Sequence, residues 1–276
     1  VFRVHVNFFE GTLPERGFEG WTAVKRWSLY GNRFAGALPA RVMTCLSNLH
    51  TLLLRRNKLK GTLPEIGLGG TTQLRELQLC ENHFAGTLPD GGLRAAMLMV
   101  FFTVQGNHFT GTLPTGWLHG KDVSLEFSVI LSANHFAGRL PLEYLTVAGR
   151  LLVNSNEFTG SLPPSHPRYQ TELLVNDNSF QGALFTLSSH CQLVNFISSR
   201  NLLAGAIPDI CAYRNTAVIL TGMVHQGTIP LSVTRMSQAN ASLMLGHGVR
   251  GSLRPLAASL LQLSIWQNSL EGFLPE

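Results

Sequence analysis

Three histidines, His83, His108 and His135, each stand directly after an asparagine, 25 and 27 residues apart. If each interval closes one turn of structure, the imidazoles stack, and such a column could bind a transition metal or respond to mild acid. Duplication of the Asn-His-Phe unit explains the column more simply, and no metal or cofactor is expected. A second grouping is basic and aromatic. Arg3, His5, Arg26, Tyr30, Arg55 and Arg56 occupy related places in the first part of the chain. Arg and Tyr suit acidic or planar groups, although an ordinary solvated face would carry them equally well. Catalytic residues are not expected. The chain has no GxSxG, HExxH, GK[ST] or GxGxxG, and no carboxylate pair recurs where a pocket would form.

What must position these groups is a repeat. The string N-x-[FL]-x-G-x-[LIF]-P begins at Asn7, Asn32, Asn57, Asn82, Asn107, Asn134, Asn156, Asn178, Asn201 and Asn268. Degenerate copies at Met223 and His247 bring the total to twelve, at spacings of 21 to 27 residues. Apolar residues tend to stand eight, five and three places before each Asn, as Leu49, Leu52 and Leu54 do before Asn57. In a short strand alternate residues face opposite ways, so the Leu-x-Leu pair enters the core and its neighbours face solvent. The Asn amide can satisfy backbone groups left open where the chain bends, the Phe fills the interior, Gly permits close approach or positive φ, and Pro ends the second extended segment. Hydrogen bonding should be weakest where Met223 and His247 replace Asn.

The pattern LxxLxLxxNxFxGxLP resembles the plant-type leucine-rich repeat, over essentially all 276 residues. The resemblance implies an α/β-type solenoid, mostly β and irregular, a curved right-handed superhelix of about twelve repeats forming a single domain over 1–276. Neither end carries a recognisable capping segment, so the chain is expected to be part of a longer chain or an assembly, with other copies of itself end to end among the partners. Family resemblance alone favours a secreted or extracellular setting.

Function on a solenoid sits on its faces. Four places before each Asn position the chain carries Ile130, Leu152, Leu174, Ile197, Ile219 and Leu243, with Trp266 near the end of the series. A run of aliphatics at a solvent position of the concave strand suggests a contact surface for a protein partner. A register error, or a core that uses both strand faces, is the competing explanation. Five places after Asn lies a hydroxyl column, Thr12, Thr62, Thr87, Thr112, Ser161, Thr228 and Ser252, with Ala37, Ala183 and Ala206 among them and Arg139 and Phe273 interrupting. Such ranks resemble the ice-binding faces of some β-solenoids, though Thr is simply a good strand residue. Cys191 and Cys211 fall in neighbouring repeats and could form a disulfide. Asn240-Ala241-Ser242 is a solitary glycosylation sequon.

Composition narrows the classes further. The chain is 45% hydrophobic and 13% charged, which excludes intrinsic disorder. No apolar run is long enough to cross a bilayer as a helix. The net charge of +5 is spread without a basic run, so nucleic acid is not an expected partner. The leading expectation is a non-enzymatic, protein-binding scaffold domain. The alternatives are a receptor-like domain recognising a peptide or glycan, and an ice-binding protein.

Overall fold

The computed structural model describes residues 1–204, apart from 66–71, 92, 123, 164–168, 186–191 and the side chain of residue 42. Beyond them it describes the backbone of Gly205 and of the strands 217–220, 224–225, 241–246, 250–251, 260–266 and 269–270. The chain divides into two compact units, 1–148 and 149–276.

In the first unit, Phe2–Arg3, Arg26–Ser28, Thr51–Leu53, Glu76–Gln78, Phe101–Thr103 and Ser124–Ile130 form one parallel sheet, each repeat contributing one strand. Equivalent repeat positions lie opposite one another, as in Trp27↔Leu52↔Leu77↔Phe102. That alignment stacks the two apolar columns of the motif: Leu52, Leu77, Leu54 and Leu79 have no exposed surface. A second parallel sheet runs Glu10–Thr12, Arg33–Gly36, Lys58–Gly61, His83–Gly86, His108–Gly111 and His135–Arg139. Its register advances by two residues per repeat, so Gly36 faces Leu59 and Gly111 faces Phe136. The Phe column between the sheets is buried and stacked: Phe84, Phe109 and Phe136 lie 6.2 and 5.9 Å apart, ring to ring. After Pro39 and Pro141 the return path begins with short helices, α1 (Ala40–Cys45) and α2 (Leu142–Val147). Proline both stops the second sheet and supplies a fixed φ at the helix entry.

Asparagine ties each turn to the next. Asn82 Nδ2 donates to Leu79 O at 3.1 Å within its own repeat and to Leu54 O at 3.0 Å in the preceding one, while its Oδ1 accepts from Leu59 N–H at 3.1 Å. The same triad of bonds recurs at Asn57 and Asn107. The residue immediately before the ladder Asn is left-handed throughout, whether it is Gly31 and Gly106 or Arg56, Glu81 and Ala133, with φ between 54° and 68°. The chain bends there so that the amide can turn inward.

The second unit repeats the plan. Ala148–Leu152, Glu172–Leu174, Asn195–Ile197, Ala217–Leu220, Ala241–Gly246 and Leu260–Trp266 pair in parallel; the first of these begins at the last residue of the preceding unit. Glu157–Gly160, Ser179–Gly182, Leu202–Gly205 and Val224–His225 form its second sheet. Asn178 and Asn201 make the same inter-repeat bonds as in the first unit. Phe185, standing where other repeats have Pro, is buried against Phe196 at 5.0 Å. Met223 and His247, expected to weaken the ladder, lie outside the described residues. Among the described residues helix is confined to α1, α2, Glu65 and a single 3-10 turn at Trp21–Ala23, which agrees with a solenoid that is mostly β and irregular.

Candidate binding surfaces on the first sheet

In the first unit the face of the first sheet is built by residues six, four and two places before each Asn, because only those alternate to the side away from the Leu-x-Leu core. Their burial differs from expectation. Leu53, Thr103 and Ile130 are 5%, 4% and 7% exposed and Ser28 is 1% exposed, so these members of the column are covered although they point away from the core, while Gln78 is half-buried and Arg3 exposed. Ile130 is therefore not an open contact residue. The long side chains two places further along each strand stand beside this column, within reach of it.

Those side chains form an ordered stack in the first three repeats. His5 and Tyr30 are parallel at 4.6 Å and 11°, and the Arg55 guanidinium lies over Tyr30 at 4.4 Å from the ring centre. His5 Nδ1 lies 3.4 Å from Ser28 Oγ. Arg56 leaves the group: its left-handed backbone swings the side chain onto Glu81 at 2.9 Å. Arg3 and Arg26 share the sheet face with the stack, Arg3 opposite Ser28 and Arg26 two residues before Ser28 on the same strand. Cys80 continues the column of Arg55, and its half-buried thiol is pushed above the ordinary range, chiefly by burial and then by the Glu81 carboxylate.

In the second unit Leu152, Leu174 and Ile197 pair directly across the sheet and remain half-buried, and Ile219 continues their register. The series then shifts. Met244, not Leu243, pairs with Ile219, and Leu243 pairs with Val218 in the column of the core residues Leu173 and Phe196. The sequence carried this signal: Leu243-x-Leu245 places the core pair one residue later than counting back from His247 implies. Trp266 pairs with Gly246, two residues beyond Ser264, which closes the aliphatic column. The side chains of Ile219, Leu243 and Trp266 lie outside the described residues, as do Cys191, Cys211 and Asn240 altogether.

Two polar rows border this ladder and were not anticipated. On one side Arg150 pairs with Glu172, whose Oε1 also accepts from Asn195 Nδ2 at 3.2 Å. On the other Arg200 pairs with Asp177. The hydrogen bond from Arg200 and, after it, the one from Asn176 hold the Asp177 carboxyl below the usual range against the opposing effect of burial. Opposite charges at equal repeat positions in neighbouring copies, Arg150 with Glu172 and Asp177 with Arg200, were the signal in the sequence.

The second sheet carries the other two columns. His83, His108 and His135 do stack, at 5.9 and 6.4 Å with ring planes within 18°, and all three are exposed. No group of three metal-ligating side chains occurs among the described residues. The threonines have a packing role that the two-residue stagger creates. Thr87 is set beside Gly111 of the next repeat, whose missing Cβ would lie 2.7 Å from the Thr87 methyl; Thr12, Thr62 and Thr112 meet Gly36, Gly86 and Gly138 in the same way.

With this geometry known, the chain can be set beside solved structures. It is similar to the ectodomain of the Arabidopsis receptor kinase HAESA, solved with an N-terminally extended IDA peptide hormone, at 26% identity and a TM-score of 0.79 over 98% of this chain and 46% of that one. A TDR receptor gives 25% identity and 0.80 over 98% and 51%. The fold is a plant-type leucine-rich-repeat solenoid. A plant ice-binding protein matches at 15% identity and 0.60, over 86% of this chain and 80% of that one, and shares the leucine-rich-repeat fold alone. No family model matches the sequence, and no curated protein does. The chain spans about half the length of the receptor ectodomains it resembles. No described helix is long and apolar enough to cross a membrane.

Proposed function

We propose that this leucine-rich-repeat chain is a non-enzymatic polypeptide-binding module, and that its second unit presents the contact surface through Leu152, Leu174 and Ile197. The observation that carries this reading is the ladder itself: three large aliphatic side chains in direct register, half-open, between rows of paired charges. An apolar floor with polar borders gains from desolvation at its centre and orients its partner at the rim. Solved structures of similar fold hold peptide hormones, HAESA with IDA and RGFR1 with RGF2, which supports a peptide or protein segment as the occupant. The same reading fits a scaffold component contacting a subunit of an assembly.

The test is selection of binders to the intact chain from a displayed peptide library, followed by fluorescence anisotropy with the selected peptides. Covering an aliphatic side chain contributes about 1.5–3 kcal/mol when burial is complete. Because Leu174 and Ile197 are already half-buried, Leu174→Asp with Ile197→Asp should weaken binding at least tenfold while the far-ultraviolet dichroism and unfolding midpoint stay native-like. Unchanged affinity in a folded double variant overturns the assignment.

A further inference from the structure

We infer that Arg3, Arg26 and Arg55 of the first unit form an anion-recognition site for an acidic peptide segment. This site is independent of the aliphatic ladder, whose residues lie in the other unit.

Charge pairing sets these three arginines apart. Beside the first sheet Arg56 meets Glu81, and in the second unit Arg150 meets Glu172 and Arg200 meets Asp177. Among the described residues Arg3, Arg26 and Arg55 have no carboxylate partner. No residue of repeats one to three on this face is acidic: the positions facing it are Val1, Arg3, His5, Arg26, Ser28, Tyr30, Thr51, Leu53 and Arg55. Acids first arrive in the fourth repeat. There Glu81 is engaged by Arg56, and Glu76 Oε1 accepts from Gln78 Nε2 at 2.6 Å.

The three guanidinium groups are arranged about one point. Arg3 lies directly across from Ser28, Arg26 is two residues before Ser28 on the same strand, and Arg55 is two residues past Leu53, which faces Ser28 from the other side. Arg3 and Arg26 are diagonal neighbours on adjacent strands, about 7–8 Å apart, and Arg55 stands diagonally from Ser28 on its other side, so long side chains reach toward Ser28 from three directions. Ser28 is small and buried, so the floor between the arginines is low.

Arg55 is also held in place. Tyr30 covers one face of its guanidinium, and His5 in turn stacks on Tyr30 and meets Ser28 Oγ. The Arg55 Nε is buried with no hydrogen-bond partner. A flat fork fixed by stacking matches the two oxygens of a carboxylate with little further loss of side-chain freedom. Glutamate or aspartate side chains of an extended segment, two residues apart on one side of its backbone, repeat at about 7 Å, close to the spacing of Arg3 and Arg26, and a further acidic residue along the segment meets Arg55.

The probe is fluorescein-labelled hexaglutamate, with hexaglutamine as the uncharged comparison, measured by anisotropy on the full chain at 50 and 300 mM salt. Hexaglutamate should bind, hexaglutamine should not, and salt should weaken the interaction. Arg3→Gln/Arg26→Gln/Arg55→Gln should lose at least tenfold in affinity. Arg33→Gln/Lys58→Gln/Lys60→Gln removes the same charge from the second sheet and should change affinity less than twofold. Equal losses in the two triple variants would show attraction by net charge alone and overturn the site, as would absence of hexaglutamate binding. Heparin serves as the sulfate-bearing arm. If it binds through the same three arginines tenfold more tightly than hexaglutamate, the acidic-peptide assignment is overturned. Both variants change exposed or half-buried positions, and a native dichroism spectrum is required of each.

Discussion

Replacing Asn82 with Ala removes a side chain that four backbone groups use, and the structure shows that they do not suffer equally. Leu54 O accepts from both Asn57 and Asn82, Leu79 O from both Asn82 and Asn107, and Cys80 O from both Asn82 and the Arg56 N–H. Each carbonyl keeps one donor in the variant. Leu59 N–H has Asn82 Oδ1 as its acceptor at 3.1 Å and belongs to a residue with no exposed surface, so it is left buried and unpaired. Orphaning one buried amide costs about 1–3 kcal/mol, and each weakened shared bond adds about 0.5 kcal/mol. Asn82→Ala should therefore destabilise the first unit by about 2–4 kcal/mol. Asn7 provides the contrast: its amide donates only to Val4 O and His5 O, in an exposed setting, so Asn7→Ala should cost less than about 1 kcal/mol. Urea unfolding followed by tryptophan fluorescence reads the first unit through Trp21, Trp27 and Trp117, and amide hydrogen exchange reads Leu59 directly. The reasoning is refuted if the two variants lose equal stability, or if the Leu59 amide remains as protected in Asn82→Ala as in the native chain.

Gly111→Ala should cost about 2–3 kcal/mol, since it combines a left-handed φ of 77° with a Cβ placed 2.7 Å from the Thr87 methyl. Adding Thr87→Ser removes the overlap and should recover about 1 kcal/mol, a coupling that a double-mutant unfolding cycle measures. Gly61→Ala, where Ala37 Cβ is 3.6 Å away, should pay only the φ penalty. For Asp177, the carboxyl is held below its usual range in the folded chain, so its contribution is complete above the unfolded pKa and disappears as pH falls through the lower folded value. Asp177→Asn should cost no more than about 1 kcal/mol at pH 7 because Arg200 is largely exposed, and the difference from the native chain should vanish in strong acid. Paired urea titrations from pH 7 to pH 2 follow that convergence.

The sequence by itself determined the repeat, and with it most of the core. Asn, Phe, Gly and the Leu-x-Leu pair are local requirements of one turn, and any copy states them in full. It also marked the basic and aromatic residues of the first repeats and the aliphatics of the later ones. What it did not determine depends on how one turn sits against the next. The two-residue advance of the second sheet puts Thr87 beside Gly111, so a column that looked like a surface rank is partly a packing device. Burial of Leu53 and Ile130 on the outward strand face follows from neighbours a full repeat away. The one-residue shift that puts Met244 where Leu243 was expected is a matter of inter-strand register. Charge is decided in the same way: Arg150 and Arg200 are neutralised by acids 22 or 23 residues distant, whereas Arg3, Arg26 and Arg55 meet none among the described residues. A repeat fixes which residues recur, and only the stacking of the repeats decides which of them remain unpaired and available to a partner.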